Sequence, residues 1–402
     1  MKNFLILIIF PFLFSCIGPI KELETQIKDT YFDDNLDDIP SELPNDFKNK
    51  LIINDLWEKS FDKFPDNSNI IFLDDYIYLI SENGNFYKIS KESADIIYTK
   101  KLNVRVISGL FGISSNSLYF IDEDLYLTKI NVLGDFIWRV KLKTTTKQRP
   151  IFHNNQIIIK YTNNTIDSID SDNGVKLWSY LRQNPPLSIN VQGQTILKDG
   201  ILYSGFPGGK LIIIEADSGS FLKEFSLSRP QGVTDIERTN DVAGDLSIID
   251  GFIFAASFNG EIGAFDRFSG SKIWSRKSSS YHGVLTDKVN LILTHQNDSI
   301  YNFDFKSGKT IWKNNNLSFR KISKPAIVDN YLLAVDYMNI LHVLSLEDGE
   351  LLAMYNFGNE FIGFSDSENV NETLNITNFF ISDDHVYVTL DNKKLIKIEI
   401  NE

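Results

Sequence analysis

Residues able to perform catalysis or to bind a metal are few in this chain, and they are scattered. The five histidines include no pair spaced by two or four residues, the spacing that brings two imidazoles onto one face of a strand or helix. The sequence contains no phosphate-binding loop, nucleophile triad or cluster of metal ligands. Acidic residues such as Asp170 and Asp266 recur where strands end, and capping of a turn accounts for them. The sequence therefore disfavours an enzyme.

Cys16 is the one residue with a clear chemical role, because it is the only cysteine in the chain. It follows a short basic start and an apolar run, Phe4–Phe14, which is typical of a secretory signal and too short to span a bilayer. The preceding Leu13-Phe14-Ser15 resembles a bacterial lipobox. We expect residues 1–15 to be a signal peptide and Cys16 to carry the lipid, the alternative being an ordinary signal with an incidental cysteine. Because Ile17 follows in place of aspartate, the sorting rule implies the outer membrane, facing the periplasm.

Acidic residues outnumber basic ones, and residues 16–50 carry a patch of them. The whole chain has 53 acidic and 40 basic residues and a net charge of −13, which disfavours nucleic acid as a partner. Residues 16–50 contain neighbouring aspartates, the prolines Pro40 and Pro44, and few apolar side chains. Such a segment buries too little apolar surface to fold alone, so we predict a flexible tether.

From residue 51 to residue 402 the chain repeats a unit of four short strands. The stretch Leu246–Lys277 is the clearest copy, with apolar runs separated by the turn pairs Asp250-Gly251 and Asn259-Gly260. These pairs favour type I′ hairpin turns, in which both central residues have positive φ. Four antiparallel strands in about 32 residues make one blade of a β-propeller.

Most units end with a small residue, usually glycine, and an aromatic residue four positions later, whereas two weaker copies have Lys223 and Ala353 at the aromatic position. All five tryptophans occupy this position, and such regular recurrence indicates packing between blades rather than stacking on a ligand. The mark occurs eight times, but the first copy, at Trp57, lacks its three preceding strands. Three strand patterns between Ile376 and Ile400 have no tryptophan strand of their own. We therefore predict an all-β fold, an eight-bladed propeller of four-stranded antiparallel blades closed by the N- and C-terminal strands.

One connection between blades is longer than the others. The interval from Lys223 to Trp274 is 51 residues, and the excess falls within Ser226–Gly244. This stretch is rich in charged side chains, including Arg229 and Arg238. Loops that outgrow their repeat are frequent sites of function, which predicts an interaction loop; the alternative is a solvated insertion.

The copies SDNGVKLW, DRFSGSKIW and DFKSGKTIW resemble the repeat of pyrroloquinoline-quinone-type propellers. Within that superfamily, the lipobox, tether, blades and the segment Arg229–Asp245 are similar to the BamB family of lipoproteins in the bacterial outer-membrane β-barrel assembly machinery. The segment follows the family pattern G-x-T-E-I-x-R-x-x-D-V at Gly232, Thr234, Asp235, Ile236, Arg238, Asp241 and Val242. The resemblance covers nearly all of the chain.

This resemblance implies a non-catalytic scaffold without a cofactor or metal. Its implied partner is a BamA-like barrel-inserting subunit, bound through that subunit's periplasmic domains, and unfolded outer-membrane proteins are possible further partners. The scaffold would support the folding and insertion of outer-membrane proteins, and it would touch the membrane only through its lipid.

The resemblance also implies partner-binding residues. The family loop L-x-L-R corresponds here to Leu187, Ile189 and Asn190, so asparagine stands where the family has arginine. The family pair D-x-D corresponds to Asp241 and to Asp245, which lies four residues later instead of two. Arg238 joins this set as part of the same long connection.

A PQQ-dependent quinoprotein dehydrogenase is the alternative function, because its propeller has a related repeat. Such enzymes resemble one another in a calcium site of Glu, Asn and Asp over a quinone, and many carry a vicinal cysteine pair. The mature chain has no second cysteine, and blades of about 40 residues leave little room for an inserted site. A structural or sugar-binding propeller is a third hypothesis that the sequence leaves open.

Overall fold

The described part of the chain forms 32 β-strands in eight four-stranded antiparallel sheets and contains no helix. The computed structural model describes residues 39–44, 46–65, 69–114, 117–183, 185, 187–189, 192–230, 233–234, 237–287, 289–357, 378–390 and 393–401. Residues at the inner edge of every sheet line one central channel. The sheets are therefore the eight blades of a propeller, which confirms the predicted fold.

The first four blades each use four consecutive strands, ordered from the channel outward. Blade 1 contains β2 (Ile71–Leu73), β3 (Tyr76–Ile80), β4 (Asn85–Ser90) and β5 (Ile96–Lys101); blade 2 contains β6 (Val106–Ser114), β7 (Ser117–Asp122), β8 (Tyr126–Ile130) and β9 (Phe136–Lys141); blade 3 contains β10 (Ile151–His153), β11 (Gln156–Lys160), β12 (Ile166–Asp170) and β13 (Lys176–Tyr180); blade 4 contains β14 (Ile196–Lys198), β15 (Ile201–Phe206), β16 (Lys210–Glu215) and β17 (Phe221–Ser226).

The next three blades repeat this order, and the last blade combines both ends of the chain. Blade 5 contains β18 (Ser247–Ile249), β19 (Phe252–Ala256), β20 (Glu261–Asp266) and β21 (Lys272–Lys277); blade 6 contains β22 (Val284–Thr286), β23 (Asn290–Thr294), β24 (Ile300–Asp304) and β25 (Thr310–Asn314); blade 7 contains β26 (Ala326–Val328), β27 (Tyr331–Val335), β28 (Ile340–Ser345) and β29 (Leu351–Asn356); blade 8 contains β30 (Asn378–Ser382), β31 (His385–Leu390), β32 (Lys394–Asn401) and β1 (Ile52–Ser60).

The ring closes between the first and last strands. β1 pairs antiparallel with β32, with Ile52 opposite Asn401 and Ser60 opposite Lys394. This pairing gives the C-terminal strands the outer strand that they lack and removes two open sheet edges. The predicted closure of the eighth blade is confirmed.

The two middle strands of each blade supply the core. In β11 every residue from Gln156 to Lys160 is buried, whereas the outer strand β13 alternates between exposed and half-buried residues. A middle strand is covered on both faces by the adjacent blades, so it is apolar and rich in β-branched residues without strict alternation.

The glycine–tryptophan mark of the repeat is a contact between neighbouring blades. The Trp274 indole N–H of blade 5 donates to the carbonyl of Phe305 in blade 6, at 2.9 Å. A Cβ at Gly308 of blade 6 would lie 2.5 Å from the Trp274 ring, so only glycine leaves room for the indole. The same donation to the next blade is made by Trp57 to Lys91, Trp138 to Ser171, Trp178 to Ala216 and Trp312 to Leu346. The prediction of packing between blades is confirmed.

One detail of the predicted hairpins differs. Asp250 and Asn259 have positive φ, at 49° and 51°, but Gly251 and Gly260 do not, so neither predicted turn is type I′. The Gly251 carbonyl accepts the Arg267 N–H at 2.7 Å from the neighbouring turn of the same blade. The equivalent carbonyls of Asn155 and Gly200 accept the same hydrogen bond in turns whose two central residues both have positive φ, so this hydrogen bond is common to both turn types.

The last part of the segment predicted as a tether contacts the propeller. Ser41 N–H donates to the Ser318 carbonyl at 2.9 Å, and Arg320 donates to the Ser41 carbonyl at 2.7 Å. Phe47 packs against the apolar cluster between blades 6 and 7. Arg320 is itself held in a buried ion pair with Asp336, so this stretch is attached to a rigid part of the ring.

Candidate functional site: connections around one mouth of the channel

The predicted partner-binding residues lie in connections that surround one mouth of the central channel. Each connection leads from the outer strand of one blade to the inner strand of the next. We name the two that matter here the 3–4 connection, residues 181–195, and the 4–5 connection, residues 227–246. Gln194 of the first and Asp245 of the second both line the channel. The strands thereby bring residues about 50 positions apart in sequence to one surface.

The described residues Leu187, Ser188 and Ile189 form a short loop, here called the Leu187 loop, within the 3–4 connection. The Leu187 side chain is 44% exposed, and Ile189 is half-buried. The Ile189 N–H donates to the Asp241 carboxylate at 2.7 Å. An apolar side chain is thus presented to solvent from a backbone that is held in place. Asn190 lies outside the described residues.

Asp241 is buried, with 3% exposure, and its carboxylate joins two loops to the 4–5 connection. One oxygen accepts the Ile189 N–H, and the other accepts the Gly208 N–H at 3.1 Å. Burial raises the pKa of Asp241, while the two backbone hydrogen bonds oppose that rise. The structure therefore gives Asp241 a positioning role: it fixes the Leu187 loop against the turn of blade 4.

Asp245 holds the end of the 3–4 connection that leads into blade 4. One carboxylate oxygen accepts the Gln194 N–H at 2.7 Å, and the other forms an ion pair with Lys324 of the connection into blade 7. The Asp245 backbone pairs with the 5–6 connection, where its N–H donates to the His282 carbonyl at 3.0 Å. Asp241 and Asp245 thus clamp the described residues of the 3–4 connection from both sides.

Three glycines allow these connections to approach each other. A Cβ at Gly193 would overlap the backbone of Gly244, and a Cβ at Gly244 would overlap the backbone of Gly283. The three residues come from successive connections, so their backbones stack at the mouth of the channel. Side chains at these positions would force the connections apart.

Arg238 lies on an exposed turn of the 4–5 connection. The Glu237 carboxylate accepts the N–H groups of Val233 and Thr234, at 2.7 and 3.1 Å, and these backbone hydrogen bonds lower the pKa of Glu237. The Thr234 hydroxyl in turn accepts the Glu237 N–H at 3.2 Å, a reciprocal cap. The capped turn presents Arg238 and the Val233 side chain to solvent.

Sequence analysis missed two exposed apolar side chains in these connections. Val233 is 94% exposed, and Leu181 is also largely exposed. The only available signal was an isolated apolar residue within a polar connection, which is common on protein surfaces and identifies no site. They belong to the same two connections as Leu187, which makes them candidates for the same surface.

A buried lysine lies beneath the Leu187 loop. Lys160 borders a small cavity together with Ser188, Ile189 and Asp241. Its ammonium donates to the Gly205 carbonyl and lies 4.3 Å from the centre of the Phe206 ring. Burial lowers the pKa of Lys160 to about 7. Because the lysine can be neutral at little cost, it can remain without a carboxylate partner.

Within the described ranges, no group of three or more His, Cys, Asp or Glu side chains could hold a metal ion. Among the same residues, no helix has the length and apolarity needed to cross a membrane. Cys16 and residues 1–15 lie outside the described part of the chain.

Solved structures with a similar fold include a BamB protein and a quinohemoprotein alcohol dehydrogenase. BamB from Moraxella catarrhalis superposes with a TM-score of 0.74 at 17% identity, covering 87% of this chain and 100% of that one. A quinohemoprotein alcohol dehydrogenase from Comamonas testosteroni superposes with a TM-score of 0.65 at 10% identity, covering 86% and 76%. At these identities the likeness shows the fold alone.

Curated relatives are similar over most of their length. The outer membrane protein assembly factor BamB of Burkholderia pseudomallei is 25% identical over 78% of this chain and 83% of its own length. The protein of the same name from Bordetella pertussis is 26% identical over 71% and 74%. The family model described as outer membrane protein assembly factor BamB matches residues 54–314, which is more than half of the chain, and the chain therefore belongs to this family.

Proposed function

We propose that this protein is a non-catalytic scaffold lipoprotein of the outer-membrane β-barrel assembly machinery. It binds the periplasmic domains of the barrel-inserting subunit and supports the folding and insertion of outer-membrane proteins. Membership of the family supports the assembly role. The observation that carries the site is the Asp241 carboxylate, which holds the Leu187 loop in position through the Ile189 N–H at 2.7 Å.

The surface that we assign to the partner combines apolar anchors with a charged margin. Leu187 and Val233 are exposed apolar side chains, and Arg238 lies exposed on the same connection as Val233. Anchors that are buried on binding and surrounded by polar residues are typical of protein interfaces. Because Asp241 and Asp245 fix the backbone in advance, less conformational entropy is lost when the partner binds.

The path of the chain supports a membrane anchor on this side of the ring. Ser41 is held by Ser318 and Arg320, which belong to the connection between blades 6 and 7 at the same mouth of the channel. A lipid on Cys16 would be joined to Ile39 by a segment that reaches at most about 80 Å.

The alternative, a quinoprotein dehydrogenase, does not fit the residues of the channel. The carboxylates that line the channel of this protein are those of Asp245 and Asp287, and Asp245 is already paired with Lys324. The single cysteine of the chain, Cys16, excludes a vicinal cysteine pair in the propeller. We therefore derive no catalytic step, and we expect no dye-linked dehydrogenase activity after incubation with the quinone and calcium.

Co-purification with the barrel-inserting subunit tests the surface. Leu187→Asp, alone or with Ile189→Asp, is expected to abolish capture of that subunit from native membranes, because a carboxylate would have to be buried unpaired in the interface. Leu177→Asp is the matched control: Leu177 is 48% exposed, close to the 44% of Leu187, but it lies on the outer strand of blade 3.

Thermal unfolding of Leu187→Asp and Leu177→Asp is expected to match the wild type, since surface substitutions usually change stability by less than about 0.5 kcal/mol. Full capture by Leu187→Asp, or equal loss in Leu177→Asp, would contradict the assigned surface.

A further inference from the structure

A concave space lies at the mouth of the central channel that the connections surround. The space there has a volume of about 810 Å³ and is lined by residues from all eight blades. Part of its wall is apolar, including Leu285, Ile327 and Phe379. Three cationic side chains, Lys147, Arg149 and Lys324, line it together with two aspartates and several neutral polar residues. A concave space of this size with a few charged groups is typical of a ligand site.

Arg149 is the cation of this space that lies beside an aromatic ring. Its guanidinium lies 5.5 Å from the centre of the Phe380 ring. Among the described residues, no carboxylate forms an ion pair with Arg149. The surrounding channel wall lowers the pKa of Arg149, although the residue remains exposed to the water of the channel.

Lys324 places a second positive charge in the same space. Its partner is Asp245, which also accepts the Gln194 N–H. The Lys324 side chain is 48% exposed, yet the channel wall surrounds it, and burial together with the charge of Arg149 lowers the pKa of Lys324 to about 8. The two cations therefore repel each other across a space that Asp245 neutralises only in part.

This arrangement is unexpected in a chain whose net charge is −13. Grouping cations in a concave, partly apolar space costs free energy unless an anion neutralises them. A carboxylate can accept two parallel hydrogen bonds from the Arg149 guanidinium. A second carboxylate a few ångströms away would meet the Lys324 ammonium.

We propose that this mouth of the channel is a binding site for closely spaced carboxylates, with Arg149 as the principal contact and Lys324 as the second. The ligand that fits best is an acidic segment of a polypeptide, because the apolar wall can also take its aliphatic side-chain stems. The site shares Asp245 with the connections that carry Leu187, but it does not depend on the function assigned to the surface around Leu187.

Calorimetric titration of the full-length protein in detergent tests the site without any partner. The probes are hexaglutamate, hexaglutamine as the neutral control, and citrate as a small polycarboxylate, in low salt of about 50 mM NaCl. Hexaglutamate is expected to bind and hexaglutamine is not. If hexaglutamate binds and citrate does not, the carboxylates come from a polypeptide. If citrate binds equally well, they come from a small molecule.

Two variants localise the binding. Arg149→Gln leaves the pair between Lys324 and Asp245 intact and is expected to weaken hexaglutamate binding at least tenfold. Lys324→Gln removes that pair and is expected to weaken binding by a similar factor. Lys309→Gln removes the same charge from an exposed turn between β24 and β25 and should leave binding unchanged. Circular dichroism confirms that each variant is folded.

The pH dependence provides a second readout. Lys147, Arg149, Asp245 and Asp287 are the charged groups that line the channel around Lys324. Because the pKa of Lys324 is about 8, wild-type affinity should fall as the pH rises from 7 to 9 and the ammonium loses its proton. Lys324→Gln should lack that fall. Failure of both anions to bind the wild type, or unchanged binding in both Arg149→Gln and Lys324→Gln, would overturn the proposal.

Discussion

At the scale of single residues, a buried carboxylate can shape an interface that it never touches. Asp241 is almost completely buried, and its two oxygens are occupied by the N–H groups of Ile189 and Gly208. Its contribution to binding is therefore indirect, through the position of the Leu187 loop. Sequence patterns identify Asp241 but do not reveal this difference, because a contact residue and a positioning residue can recur equally often in a motif.

Asp241→Ala is expected to weaken capture of the barrel-inserting subunit although the residue is not exposed. The change leaves two buried amides without an acceptor and should cost about 1 to 3 kcal/mol of stability. The specific readout is amide hydrogen exchange, which should speed up at Ile189 and Gly208 while the strands of blade 1 remain protected.

Asp241→Asn retains one acceptor oxygen, so its exchange rates and its capture should be intermediate. If Asp241→Ala bound normally while these amides exchanged faster, the link between the fixed loop and binding would be refuted.

At the scale of elements, the turn between the two outer strands of a blade is built to receive an indole from the preceding blade. Gly308 combines a positive φ of 68° with a Cα that lies against the Trp274 ring. Gly200 has a similar φ of 74°, but a Cβ there would meet nothing within 4 Å. Comparing alanine substitutions at Gly308 and Gly200 therefore separates the free-energy cost of backbone conformation from the cost of packing between blades.

Gly308→Ala should destabilise the protein by about 2 to 4 kcal/mol, the sum of a left-handed backbone penalty and a steric overlap. Gly200→Ala should cost only the backbone penalty, about 1 to 2 kcal/mol. Denaturant titration of both variants measures the difference.

A Trp274→Phe background tests the cause, because the smaller ring should reduce the extra cost of Gly308→Ala. Equal losses for Gly308→Ala and Gly200→Ala would show that the indole contact contributes nothing.

At the scale of the whole molecule, stability depends on the seam between β1 and β32. Every other blade is formed from consecutive strands, whereas blade 8 joins strands from opposite ends of the chain. Asn54 and Glu399 are directly opposite each other in this seam. Opposed residues of antiparallel strands have Cα atoms about 4.5 to 5.5 Å apart, a separation that suits a disulfide.

Asn54→Cys with Glu399→Cys should form a disulfide that closes almost the entire propeller into one loop. In the chain-entropy account this stabilises by roughly 5 kcal/mol or more, whereas a disulfide within one hairpin contributes about 3 kcal/mol. The control pair is Lys210→Cys with Ser226→Cys, opposed residues in β16 and β17 of blade 4.

Denaturant midpoints before and after reduction measure both effects. A seam disulfide that stabilised less than the hairpin disulfide would contradict the chain-entropy account of this closure.

The ring itself was predictable because its determinants are local. Glycine followed four residues later by tryptophan recurs along the chain, and each pair marks one turn and one outer strand. The absence of strands before Trp57 and their excess after Ile376 required closure by the two ends. The type I′ turns predicted at Asp250-Gly251 and Asn259-Gly260 were wrong, because only the first residue of each pair has positive φ.

The sequence by itself determined the eight-bladed fold, its seam, the family and the position of the long connection, since short-range spacing and repetition carry that information. Only the tertiary structure decided that Asp241 is buried beneath Ile189, that Asp245 pairs with Lys324 and that Arg149 lines the channel. Those relations join residues 52 and 79 positions apart, which no local pattern encodes. The curvature of the closed ring brings them together, because it turns the start of every inner strand toward one common mouth.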